Sequence, residues 1–265
     1  MKRILLFALF IFLLANLAAC GRQENDPVPP SFDSGAVAKD ADGEEGVREL
    51  MDNTAQFNNS FTVEGKPIIQ DMSVAVDFGV VYPNLESVYN TAANVVAGEV
   101  MDVRYTDDEA APRTIYTFAV SETLKGDIAE NSLISISESN GYVRMATVVE
   151  VYGVIPYEGI TDDEIENGVV LQSLGGAPLP EAGDQCVIFF GGGEQKQEGR
   201  IAGAYAVIGN FMGKYVLDQD TNLYLRFCPS EKPDLYTVYD PVTKVAIQEE
   251  PMSLPAIREE ILSYQ

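Results

Sequence analysis

Residues 114–122 read TIYTFAVSE. Tyr116, Phe118 and Val120 fall on one face and Thr117, Ala119 and Ser121 on the other, the period of two that marks a half-buried β-strand. Working outward, residues 133–137 (LISIS) alternate Ile134 and Ile136 with serines. Residues 223–227 (LYLRF) repeat the pattern, which assigns Leu223, Leu225 and Phe227 to the core and Tyr224 and Arg226 to solvent. Residues 95–105, 142–152, 186–190 and 204–208 are further strand candidates. The run 186–190 (CVIFF) is apolar throughout, as suits a central strand. Turn chemistry separates these runs: Lys125-Gly126-Asp127, Ala182-Gly183-Asp184, Gly191–Gly193, Gly209-Asn210 and the stretch 218–222. Helical patterns are short. One covers 85–93. The other covers 255–263, with Ser253 as N-cap, Pro255 in the first turn, and Leu254, Ile257, Ile261 and Leu262 on one face. Many short strands and few helices predict a mainly β chain, a small barrel or sandwich with one or two short helices, one of them C-terminal.

Charge and composition narrow the function. The chain has 265 residues with 41 Asp+Glu against 17 Lys+Arg, a formal charge of −24, and neither His nor Trp. Without histidine there is no Ser-His-Asp triad, no Cys-His pair and no His-bound metal. So acidic a surface repels a phosphate backbone, which argues against nucleic acid as a partner.

The N-terminus carries an address. Lys2 and Arg3 precede an apolar run over 4–17, too short for an ordinary membrane span, and the run ends in Leu17-Ala18-Ala19-Cys20. This arrangement resembles the bacterial lipobox. The resemblance implies a signal peptide over 1–19, cleavage before Cys20, and lipid on the Cys20 sulfur and amine. It also implies an extracytoplasmic, lipid-anchored protein of the bacterial cell envelope. Residues 20–48 are rich in Pro, Gly, Asp and Glu and poor in bulky apolar side chains, the composition of a solvated tether. Loss of 1–19 leaves 15 basic against 41 acidic residues, a charge of −26 that favours standing off an anionic lipid surface.

Residues 49–265 are then one β-rich domain. In order they give 94–100 (NVVAGEV), 116–127 (YTFAVSETLKGD), 134–137 (ISIS), 183–190 (GDQCVIFF) and a helix after Ser253. This layout resembles secreted and lipid-anchored bacterial proteins of unknown function and, through them, the netrin/tissue-inhibitor (NTR) module. The resemblance implies an OB-like barrel with appended helices. Residues 142–180 look like an insertion relative to that pattern. NTR inhibitors chelate a protease zinc through a free N-terminal Cys. Here the mature N-terminal Cys20 is expected to be acylated, so that route is closed.

The candidate sites follow. After lipidation only Cys186 and Cys228 remain, either as a disulfide or as two buried thiols. A catalytic thiolate has no His to activate it. Acidic clusters occur at 107–109, at 162–166 and at Asp218-x-Asp220-x-Asn222; the last mimics the start of a Ca²⁺ loop but reads better as a hairpin turn, and the others as solvated loops. Gly191–Gly193 lacks the Lys that a phosphate loop needs. Nothing isolates a catalytic carboxylate pair among 41 acids. The expectation is a non-enzymatic, cofactor-free binding module whose partner is an envelope protein or a small ligand. The alternatives are a carboxylate-dependent hydrolase and a Ca²⁺-dependent surface protein. Within the insertion, Tyr152, Val154, Ile155 and Tyr157 beside Asp162 and Asp163 form the candidate contact surface, an apolar anchor with an acidic rim.

Overall fold

In a computed structural model the segment 114–122 lies inside a 13-residue strand, β4 (Arg113–Lys125). The structure describes residues 60–74, 82–108, 111–174, 177–191, 203–227 and 250–265. It also describes the backbone of three short strands, β1 (Val37–Ala38), β12 (Thr237–Tyr239) and β13 (Ala246–Gln248). The chain divides into two units, Met1–Asp33 and Ser34–Gln265, and every described residue belongs to the second.

The main sheet is built from antiparallel pairs. β3 (Asn94–Thr106) lies between β4 and β8 (Gln185–Phe190). β5 (Ser132–Glu138) extends the sheet beyond β4. On the other side β10 (Lys214–Asp218) pairs with β8, and β11 (Leu223–Arg226) with β10. A two-residue strand, β9 (Tyr205–Ala206), runs parallel to β5, and the next residue, Val207, bridges to Phe190 of β8. The run β8–β3–β4–β5–β9 therefore comes back on itself through one bridge rather than a continuous ladder, a barrel that is not closed. Three register shifts between β3 and β4 supply the curvature. One sits at Gly98, where any Cβ would overlap the Ala119 carbonyl oxygen, so no larger residue fits.

Both faces of the sheet are covered. Cys186, Ile188 and Phe190 of β8 point into the barrel with Val96, Val100, Tyr116, Phe118 and Ile136. Val187 and Phe189 point outward to a second core shared with α1 (Leu85–Thr91) and α4 (Leu254–Ser263). Burial on both sides is why 186–190 is apolar throughout.

Residues 141–174, most of which fall in the segment expected to be an insertion, build their own lobe. β6 (Gly141–Arg144), α2 (Met145–Tyr152), α3 (Asp162–Asn167) and β7 (Val169–Leu174) enclose Val143, Met145, Val148 and Val170. β2 (Ile68–Val74), from well before the insertion, completes the lobe by pairing parallel to β7.

Four expectations are corrected. Residues 142–152 are not one strand. Arg144 is the last strand residue, and its backbone N–H and guanidinium are held by Asp107 at 2.7–3.0 Å. The chain turns there, and α2 buries Met145 and Val148. That raises the helices from the one or two expected to four among the described residues. Asp107 itself is no solvated loop residue but is 1% exposed. Finally, β11 is inverted: Tyr224 and Arg226 are buried, while Leu223, Leu225 and Phe227 are only half-buried. The hairpin turn at 218–222 is as expected, with Asp218 accepting from the Asp220 amide and the Thr221 hydroxyl.

Candidate functional site

The inversion of β11 creates a site. Strand alternation sends Tyr215 and Leu217 of β10, with Tyr224 of β11, toward the core under α4. Arg226 follows them. Its guanidinium donates to the Tyr82 carbonyl at 2.8 Å and lies 5.6 Å from the centre of the Tyr215 ring. The hairpin's other face carries Val216 and Leu225, directly paired across the ladder, and Phe227 follows beyond the end of β11. These residues and Leu179 of the opposite segment line a cleft of about 390 Å³. Glu181, Asp184 and Asp218 stand at the cleft with Lys214. Hydrogen bonds from Thr221 and the Asp220 amide hold the Asp218 carboxyl below the usual carboxylate range.

Lys214 leads into the barrel. Its ammonium is 2.7 Å from Glu138 Oε1, and both side chains are buried, at 4% and 0% exposure. Tyr116 donates its hydroxyl to the same oxygen at 2.8 Å. Burial and the Glu138 carboxylate hold the Tyr116 phenol well above its ordinary value. Glu138 Oε2 and both polar atoms of the Asn140 side chain have no hydrogen-bond partner among the described residues. Each such atom carries a desolvation penalty of about 1–3 kcal/mol unless water or a ligand reaches it. Burial pushes the Cys186 thiol up to about 12, with Lys214 acting in the opposite sense. That thiol is free and buried, and Cys228 lies outside the described residues.

The candidate contact residues of the insertion separate into two groups. Tyr152 and Tyr157 pack on the lobe core, and the Tyr157 hydroxyl donates to Met72 Sδ at 3.0 Å. Val154 and Ile155 are 49% and 50% exposed, and Val151, in the last turn of α2, is 46% exposed. Asp162 and Asp163 are exposed in the first turn of α3, where Thr161 and Glu164 form a capping box. Carboxylates there suit the helix N-terminus. Cys20 lies outside the described residues, as do Gly192 and Gly193. Among the described residues no group of three or more Cys, Asp or Glu side chains gathers to hold a metal.

Sequence reasoning missed the Tyr116–Glu138–Lys214 cluster. The signal was available: Lys214 and Glu138 are opposite charges, Lys214 opening β10 and Glu138 closing β5 beside apolar core positions. Such charges are buried only when paired. What the cleft offers chemically is apolar contact beside carboxylate acceptors. Comparison with protein-family models, with curated proteins and with solved structures finds no match to this chain.

Proposed function

We propose that the chain is a lipid-anchored, extracytoplasmic interaction module of the bacterial envelope, an NTR-type body whose inserted lobe contacts an envelope protein. The anchor rests on the lipobox-like run ending at Cys20. The contact rests on one observation: three large apolar side chains within five residues, Val151, Val154 and Ile155, are about half exposed on a lobe that already has its own core. Single exposed apolar residues need no explanation, but a contiguous set marks a contact surface. Residues 141–174 carry six acidic side chains and one basic one, Arg144, which Asp107 neutralises. An apolar centre within an acidic surround fits a partner with an apolar groove and a basic rim.

Two experiments test this reading. A photo-cross-linking amino acid at position 155 should give one discrete adduct in intact cells, absent when the probe sits at exposed Glu130. No adduct, or the same ladder from both positions, would overturn the contact. For the anchor, Cys20→Ala should move the protein from the detergent phase to the aqueous phase on Triton X-114 partitioning, or leave it as uncut precursor. Unchanged processing and partitioning would refute lipidation.

A further inference from the structure

We propose that the cleft between residues 177–184 and the β10–β11 hairpin is a binding site for a small organic cation with an apolar body, an alkyl- or arylalkylammonium. The site is separate from the lobe surface, and the inference does not depend on it.

One wall of the cleft is apolar. Val216 and Leu225 form a cross-strand pair on the face away from the core under α4; Val216 packs in part on the barrel core, whereas Leu225 joins no core cluster among the described residues. Both are half-buried, and Leu179 faces them. At about 390 Å³ the cleft falls within the usual range for small-molecule sites, roughly 300–1,000 Å³, and such sites are mostly apolar with a few polar groups. Phe227 packs edge-on against Phe211 at the inner end of the wall, which leaves Leu225 as the apolar side chain of 223–227 that faces the cleft without joining a core cluster among the described residues.

The charge at the cleft is negative. Lys214 is the basic residue at the cleft, and Glu138 neutralises it at 2.7 Å. That leaves Glu181, Asp184 and Asp218 as the unbalanced charges, and among the described residues none of the three makes an ion pair. All three stand at one cleft, where charges of one sign add to a common field. An anion is repelled there. A neutral molecule gains only the apolar contact, and a cation with an apolar body gains both.

The test uses three isosteric probes, 4-phenylbutylammonium, 4-phenylbutanol and 4-phenylbutyrate, titrated calorimetrically into the full mature chain. The ammonium should bind saturably and about tenfold more tightly than the alcohol, and the carboxylate should not bind. Glu181→Gln, an exposed replacement that leaves the core untouched, should weaken the ammonium by about two- to fivefold and leave the alcohol unchanged. Leu225→Ala should weaken ammonium and alcohol alike, by about tenfold. Glu130→Gln should change nothing. Equal binding of ammonium and alcohol, preference for the carboxylate, no binding of any probe, or an effect of Glu130→Gln matching that of Glu181→Gln would each overturn the proposal.

Discussion

Glu138 shows what a single side chain does in this barrel. Its carboxylate sits at 0% exposure and receives both the Lys214 ammonium and the Tyr116 hydroxyl on one oxygen. A buried pair adds little net stability, because desolvation offsets attraction, but breaking it strands a charge. Glu138→Ala is therefore expected to cost about 3–5 kcal/mol, and adding Lys214→Met should recover most of that loss. Urea unfolding of the single and double variants checks this; equal losses would show that the pair is not coupled. Cys186 gives a pH dependence. Burial pushes its thiol up to about 12 in the folded chain, from an ordinary value of 9.0. Above about pH 9 the unfolded chain gives up this proton and the folded chain keeps it, so the unfolded state binds fewer protons and stability falls as pH rises toward 12. The raised phenol of Tyr116 acts in the same sense. Below pH 9 the contribution is intact. Cys186→Ala should flatten the decline of the urea midpoint above pH 9, and an unaltered slope would show that the thiol is not held neutral.

Elements were legible in proportion to how local their causes are. The helix α4 was readable from Ser253, Pro255 and the apolar spacing, and Ser253 does cap it by accepting from the Ala256 amide. Ile257 and Ile261 are buried at 0% and 1%, whereas Leu262, expected on the same face, is 64% exposed. Ile257→Ala should cost about 2–5 kcal/mol and Ser253→Ala about 1 kcal/mol, each read from the urea midpoint. A smaller loss at Ile257 would mean that α4 is only loosely seated. The strands β3, β4, β5 and β8 were likewise visible, because period two and apolar runs are properties of the segment itself. The causes of the misread elements lie elsewhere in the chain. Residues 142–152 are rich in Val and Tyr and look like a strand, but Asp107, far away in sequence, ends β6 at Arg144 and tertiary packing makes the rest helical. In β11 the alternation was right and the face wrong, because α4 covers the side carrying Tyr224. A hydrophobic pattern tells which residues share a face, not which face the rest of the chain will cover. The cleft was invisible in the sequence for that reason.

At the scale of the whole molecule, the barrel must meet the segment that leads back to Cys20. Composition predicts a solvated tether over 20–48, yet within it the backbone of Val37 and Ala38 pairs with Leu133 and Ser132 on the edge of β5. Such a foothold occupies an edge strand that would otherwise offer unpaired N–H and C=O groups to another chain. Its thermodynamic weight is small. Two residues of ladder bring a net gain of about 0.5–1.5 kcal/mol per hydrogen bond, part of which is cancelled by the entropy of ordering the segment. For a domain of this size 1 kcal/mol moves the melting temperature by about 2–4 °C. A chain starting at Leu50 is therefore expected to melt a few degrees below one starting at Ser34, with the same cooperativity. It should also associate more readily at high concentration, because the β5 edge is uncovered. Calorimetry and light scattering on the two chains measure both effects. A loss well beyond about 10 °C would make residues 34–49 part of the core rather than a foothold. Identical melting and identical scattering would show that β1 contributes nothing to the stability or the solubility of the domain.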